Sequence, residues 1–222
     1  MGWVGRWDGS GREMNNRFDG TWKLKLIRLD WDGTGLSLVK LKCFRKCDSP
    51  LRTIESMYRH ISKKHPNIEL IYWTGDLPPH DIWNQTRQGN LEVLRETSKQ
   101  LRQHFPDKVI LPALGNHESV PVDSFPPPFV HGEHSISWLY TELNQEWTQW
   151  IGAGHGPTLR YGGYYSVNSS PGLRVISLNM NYCMNKNIWL LMNSTDPAQE
   201  LKWLVYELQL AEFKGEKVVF YF

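Results

Sequence analysis

Leu70-Ile-Tyr-Trp-Thr-Gly-Asp76 and, forty positions later, Ile110-Leu-Pro-Ala-Leu-Gly-Asn-His-Glu118 are the stretches that decide the fold of this chain. Each is an apolar run that ends in glycine and is followed by side chains able to bind a metal ion or to move a proton. We therefore expect two β-strands whose ends deliver Asp76, Asn116 and His117 to one place.

The segment between the two runs has the apolar periodicity of a helix. Leu91, Leu94, Leu101 and Phe105 recur there among charged and amide residues, as on a helix with one buried face. The sequence therefore predicts a strand, a loop, a helix and a strand within an α/β (α+β) fold. Parallel strands joined in this way almost always have a right-handed crossover, so that both carboxyl ends lie at the ligand-binding edge of the sheet.

The residues at these strand ends suit a metal site. Gly75 and Gly115 let the chain turn sharply as it leaves each strand. A carboxylate from one loop and an amide oxygen from the next can then share a divalent cation, because oxygen and imidazole groups are common ligands of such ions. Either pattern alone is more often a turn or a surface pair, and their joint occurrence is what favours a functional site. His80 adds an imidazole to the first loop, although a histidine after two prolines is also typical of a solvated turn.

At these residues the chain resembles the acid sphingomyelinase family of calcineurin-like metallophosphoesterases. The similar stretches cover 72–86, 115–119, 124–129 and 193–197, and the resemblance extends from about residue 47 to about residue 218. It implies part of a metallophosphoesterase-type layered sheet core flanked by helices. It also implies a zinc-dependent hydrolase that converts sphingomyelin, in membranes or lipoproteins, to ceramide and phosphocholine.

The resemblance implies roles for four residues. Asp76 resembles the carboxylate that bridges two zinc ions, and Asn116 resembles a ligand of the second zinc. His117 resembles the proton donor to the leaving alkoxide. His80 resembles a neighbouring residue that helps to position the phosphate.

The chain also departs from the family pattern. The first metal block of the family, an Asp-x-His, is expected before Cys47, yet no histidine precedes His60. Later blocks, including a Gly-His-x-His, are expected after Val218. Because a catalytic zinc normally needs three protein ligands and an open position, we expect an alternative or incomplete gene product that is inactive alone. A non-catalytic splice or truncation product that acts by binding, and a sphingomyelinase-like phosphodiesterase with another substrate, stay open as alternatives.

Composition fits one partial domain. With 222 residues, 40% of them hydrophobic and 22% charged, the chain can bury a sizeable core. We divide it into a divergent segment, residues 1–46, that is partly disordered with a possible hairpin, and an incomplete catalytic domain, residues 47–222. A net charge of +2 and the absence of a basic run give no indication of a nucleic-acid partner.

Two features of the sequence give conflicting indications of the cellular compartment. Residues 1–8 lack the apolar core of a signal peptide, and no run reaches the roughly 20 apolar residues of a membrane span. Asn84, Asn168 and Asn193 nevertheless begin acceptor triplets for glycosylation. The resemblance implies a glycosylated protein that is lysosomal or secreted.

The three cysteines leave their pairing open. The resemblance implies partners for Cys47 and Cys183 that lie outside this chain. Reduced, buried thiols and a disulfide between Cys43 and Cys47 are the alternatives.

The remaining pattern predicts further elements around the site. Ser49 and Pro50 begin a helix, 121–129 is a proline-rich loop, and strands cover 161–167 and 174–179. The strand 218–222 follows a helix capped by the Asp196 region. The inner face of the first helix contains Ile54, Met57, Tyr58 and Ile61. The apolar face of the last helix contains Leu201, Leu204, Val205, Leu208 and Ala211. A third helix carries a stripe of Trp138, Leu139, Leu143, Trp147 and Trp150, which we interpret as core rather than as a lipid-binding face.

Overall fold

The computed structural model describes residues 48–222 and the backbone of residues 26–29. These residues form a mixed α/β fold with two three-stranded sheets. The helices and strands, in chain order, are β1 (Leu26–Leu29), α1 (Leu51–Lys64), β2 (Leu70–Trp73), α2 (Arg87–His104), β3 (Val109–Pro112), α3 (Ser137–Ile151), α4 (Gly156–Gly162), β4 (Tyr165–Ser170), β5 (Leu173–Ser177), α5 (Glu200–Phe213) and β6 (Lys217–Tyr221).

The first sheet contains the predicted unit of strand, helix and strand. β2 lies between β1 and β3 and is parallel to both. α2 begins after Thr86, whose Oγ1 accepts a hydrogen bond from Gly89 N at 3.0 Å, and it buries Leu94 and Leu101 against the core. The carboxyl ends of β2 and β3 therefore lie side by side, as the crossover argument predicts.

Most of the predicted divergent segment lies outside the described residues. The same is true of Cys43, Cys47 and the greater part of the predicted hairpin. Residues 26–29 form a strand parallel to β2, a pairing that the sequence pattern did not predict.

One carbonyl group of the first sheet accepts three hydrogen bonds from the second. β5 pairs antiparallel with β4 and parallel with β6. Pro112 O accepts hydrogen bonds from Tyr165 OH at 2.7 Å, Tyr221 OH at 3.1 Å and Ser177 Oγ at 3.3 Å. These buried hydroxyl groups fix the end of β3, from which the chain continues into the site.

The strand predicted at 161–167 begins later than expected. Residues 156–162 form α4, with Pro157 in its first turn, and Gly163 ends the helix in the left-handed conformation at φ 75°. Both features are typical of helix termini. The prediction was therefore wrong for residues 161–164, and β4 begins at Tyr165.

The apolar stripe of α3 is core, as predicted. Leu139, Leu143 and Trp147 are buried, and the rings of Trp73 and Trp147 meet edge to face with centroids 6.0 Å apart, a favourable geometry for aromatic pairs. α1 likewise buries Ile54 and Tyr58. None of the helices in residues 48–222 is long and apolar enough to cross a membrane.

α5 buries only part of the face that its pattern predicted. Ala211 is buried, but Leu201, Val205 and Leu208 are exposed, whereas Glu207 is buried. Glu207 pairs with the buried Arg174 of β5, which also lies 2.7 Å from a carboxylate oxygen of Glu216. Buried charges need partners, and this ion cluster supplies them for Glu207.

The start of α5 has the predicted cap. The carboxylate of Asp196 accepts hydrogen bonds from Leu201 N and Lys202 N, both at 3.0 Å. Two of the backbone N–H groups that a helix leaves without internal partners are thereby satisfied.

Glu200, the first residue of α5, makes stability depend on pH. Burial raises the pKa of Glu200 from 4.5 to about 7, a hydrogen bond from Asn179 N opposes the rise, and the charge of Asp196 adds to it. The native state therefore holds a proton that the unfolded chain releases. Stability from this group is fully present below about pH 4.5 and is lost as the pH rises through about 7.

We expect Glu200→Gln to remove this part of the pH dependence. Between pH 4.5 and pH 8 the free energy of unfolding should fall by roughly 2–4 kcal/mol more in the unmodified chain than in Glu200→Gln. Urea unfolding at both pH values measures the difference, and Glu212→Gln, at an exposed position of the same helix, is the control. Equal pH dependence in all three proteins would contradict the prediction.

Candidate active site

The loops after β2 and β3 lie in direct contact. Gly75 has φ 77°, and a Cβ atom on it would lie 2.2 Å from Gly115 N. A Cβ atom on Gly115 would lie 2.2 Å from Asp76 Oδ1. Because real Cβ atoms cannot approach so closely, this contact requires glycine on both sides.

One hydrogen bond ties the two predicted site loops together. His117 N donates to Asp76 Oδ1 at 3.2 Å. Asp76 itself has φ 62°, a conformation that residues with a side chain seldom adopt, so the surrounding contacts must hold it. Such strained residues cluster at functional sites.

The two predicted histidines meet at the edge of this contact. The ring centroids of His80 and His117 are 4.8 Å apart with an interplanar angle of 69°. His80 also bonds twice to Asp48, from its ring Nδ1 to Oδ1 at 2.9 Å and from its backbone N to Oδ2 at 3.1 Å. Asp48 was missed by the sequence reasoning, and no local signal identifies it, because 32 positions separate it from His80.

Glu118 is a second residue that the sequence reasoning missed as part of the site. It is buried, and its Oε1 accepts a hydrogen bond from Leu77 N at 3.0 Å. Burial, and to a smaller extent the charge of Asp76, raise the pKa of Glu118 from 4.5 to about 8. Glu118 Oε2 and His117 Nδ1 are buried without a hydrogen-bond partner in the described part of the chain. Such atoms are uncommon in proteins, and a bound ion, a water or a catalytic role is the usual explanation.

Helix α2 contacts this loop through a buried amide. Asn90 Nδ2 donates to His117 O at 3.1 Å and to Glu118 O at 3.0 Å. The backbone that follows the His117 side chain is therefore anchored to the helix.

Asn116 uses the donor end of its side-chain amide in a contact within its own loop. Its Nδ2 donates to Asp123 Oδ1 at 2.8 Å. This contact leaves the amide oxygen, Oδ1, at the opposite end of the group.

The donors fit part of a zinc site. A carboxylate from Asp76 and an amide oxygen from Asn116 are suitable ligands of a divalent ion. Within the described residues, however, no group of three or more His, Cys, Asp or Glu could hold a metal ion. The described part of the chain therefore fits two ligand positions and does not fit a complete site.

The asparagines of the predicted glycosylation triplets and Cys183 are all at least partly exposed. Asn84 and Asn168 are exposed and Asn193 is partly exposed, so their glycosylation stays a prediction. Cys183 is an exposed free thiol.

Known proteins similar to this chain are phosphodiesterases. Sphingomyelin phosphodiesterase of Homo sapiens is 51% identical over 175 residues, which are 79% of this chain and 28% of the human protein. The Bos taurus protein of the same name is 49% identical over the same shares. The Mus musculus protein named cyclic GMP-AMP phosphodiesterase SMPDL3A is 35% identical over 78% of this chain and 38% of its own length. No family model matches the chain.

The similarity covers most of the chain but a minor part of its relatives. The chain spans 28% of the length of the human and bovine proteins. Over 79% of its residues this chain is a homologue of the sphingomyelin phosphodiesterases, and it corresponds to one part of such a protein.

Proposed function

We propose that this chain is part of a zinc-dependent phosphodiesterase that hydrolyses sphingomyelin to ceramide and phosphocholine. The observation that carries the proposal is the hydrogen bond of 3.2 Å between His117 N and Asp76 Oδ1. It brings a metal-binding carboxylate and an imidazole to one strand edge in a chain that is 51% identical to a sphingomyelin phosphodiesterase.

Each site residue has a role in this proposal. Asp76 and Asn116 would hold zinc together with ligands from outside the described residues. Zinc, when bound, polarises phosphoryl oxygens and lowers the pKa of a bound water. The His117 ring would protonate the ceramide oxygen as it leaves, which is general-acid catalysis. His80, oriented by Asp48, would position the phosphate.

The site residues alone do not determine which substrate is cleaved. Sphingomyelin in membranes or lipoproteins is favoured because relatives with that substrate in their name reach 51% identity. A cyclic dinucleotide is the second candidate, since a relative named for cyclic GMP-AMP is 35% identical. The exposed positions of Asn84 and Asn168 support the further proposal that the longer protein is glycosylated and is lysosomal or secreted.

An extended polypeptide tests the proposed activity. We define it as this chain joined to the flanking regions of the human sphingomyelin phosphodiesterase. Hydrolysis of sphingomyelin in detergent micelles and of cyclic GMP-AMP is measured at acidic pH, with zinc and after treatment with a chelator. We expect cleavage of sphingomyelin that the chelator abolishes and zinc restores. Cleavage of cyclic GMP-AMP alone, or activity that is insensitive to the chelator, would overturn the proposal.

A further inference from the structure

Asn116 and Asp123 are joined by two hydrogen bonds. Asn116 Nδ2 donates to Asp123 Oδ1 at 2.8 Å. In the reverse direction, Asp123 N donates to Asn116 O at 3.1 Å. One bond joins the side chains and the other joins the backbones, so the pair closes a ring that restrains both the main chain and the amide of Asn116.

The loop holds Asp123 in an unusual conformation. Asp123 has φ 63°, a conformation that costs free energy in a residue with a side chain and persists only where neighbours enforce it. The buried Ser119 supplies that restraint, since its Oγ donates to Pro121 O at 2.9 Å and accepts from Ser124 N at 3.0 Å. Ser124 Oγ in turn accepts from Trp189 Nε1 at 3.0 Å. Hydrogen bonds at residues before and after Asp123 in the sequence therefore restrain its backbone.

A carboxylate at this place decides which end of the Asn116 amide is free. An amide group offers a donor end and an acceptor end, whereas an ionised carboxylate can only accept hydrogen bonds. Asp123 therefore pairs with Nδ2 and cannot pair with Oδ1. The oxygen, which is the atom able to bind a cation, is left for the site.

We infer that Asp123 is a positioning residue, which fixes the orientation of the Asn116 amide so that Oδ1 serves as the ligand atom. The inference rests on the proposed function, because it assigns the purpose of the orientation to a bound cation. Partners that orient a ligand in this way typically change metal affinity by 10- to 100-fold when they are removed.

Three substitutions, made both in the chain of residues 1–222 and in the extended polypeptide, test the inference. Asp123→Gly removes the carboxylate without strain, because glycine adopts positive φ freely. Asp123→Asn tolerates this conformation but has a donor end as well as an acceptor end, so it no longer excludes a hydrogen bond to Asn116 Oδ1. Asp107→Ala changes an exposed aspartate in the turn before β3 and is the matched control.

Two readouts are needed. In ¹⁵N-labelled, metal-free protein of residues 1–222, the Asn116 Nδ2 protons should exchange slowly with water in the unmodified chain and in Asp107→Ala. In Asp123→Gly they should exchange as fast as those of a solvated amide. The zinc dissociation constant of the extended polypeptide, measured by competition with a chromophoric chelator, should rise about 10- to 100-fold in Asp123→Gly. It should rise by a smaller factor in Asp123→Asn and change little in Asp107→Ala.

The outcomes separate the inference from the proposed function. Unchanged exchange of the Asn116 amide in Asp123→Gly would overturn the inference, and so would equal zinc affinity in Asp123→Gly and the unmodified chain. Faster exchange in Asp123→Gly, with no zinc binding by any form of the extended polypeptide, would support the positioning of the amide and overturn zinc as its cation. If Asp123→Gly does not fold, Asp123→Ser, whose side chain is too short to reach Asn116, is judged by the same readouts.

Discussion

We expect His117→Ala in the extended polypeptide to lower the turnover of sphingomyelin about 10²- to 10⁴-fold, the usual contribution of a general acid, with zinc content nearly unchanged. In the proposed mechanism the His117 ring acts on the leaving group, whereas its backbone N–H bonds to Asp76 Oδ1. Alanine retains that N–H group, so the contact between the two loops survives. A loss confined to turnover is the sign of an interaction made in the transition state.

Asp76→Ala is the matched comparison, and its effect is different. Removal of the carboxylate deletes a proposed zinc ligand and also the acceptor for His117 N. We therefore expect loss of zinc together with loss of turnover. Zinc per chain, measured by inductively coupled plasma mass spectrometry, and initial rates at acidic pH distinguish the two variants. Equal zinc loss in both would show that His117 is a ligand, and normal turnover in His117→Ala would exclude it as the acid.

We expect that the polypeptide of residues 1–222 alone does not hydrolyse sphingomyelin and binds zinc weakly. Its described residues supply Asp76 and Asn116 but no group of three or more metal-binding His, Cys, Asp or Glu side chains. A catalytic zinc normally has three protein ligands. In addition, β6 pairs only with β5 among the described strands, and an open strand edge favours aggregation.

Expression in a secretory host behind an added signal peptide checks this prediction. Zinc stoichiometry and sphingomyelin hydrolysis at acidic pH are measured on the purified polypeptide. Tight binding of two zinc ions per chain, with turnover that Asp76→Ala abolishes, would contradict it. Further ligands would then have to come from histidines outside the predicted site, such as His60, His65, His131, His134 or His155.

The strand ends that form the site could be predicted from local sequence. The apolar runs, the helix period between them and the two glycines each specify local structure, and the crossover rule then brings Gly75 and Gly115 together. The structure adds the reason for both glycines, since a Cβ atom on either would lie 2.2 Å from the opposite loop.

The partners of the site residues could not be predicted in this way. Asp48 contacts His80 from 32 positions away, and Glu118 contacts Leu77 from 41 positions away, so only the folded chain reveals them. The inward face of α5 was predicted only in part for a related reason. The buried Glu207 pairs with Arg174, a contact across 33 positions that the apolar pattern of the helix does not show.

Zinc anomalous scattering from crystals of the extended polypeptide tests most directly whether Asp76 and Asn116 are metal ligands. We predict an anomalous peak roughly 2.0–2.2 Å from an Asp76 carboxylate oxygen and a peak at similar distance from Asn116 Oδ1, with the His117 ring outside the coordination shell. Zinc peaks that are bound elsewhere, with neither Asp76 nor Asn116 in contact, would contradict the assignment of this strand edge as the active site.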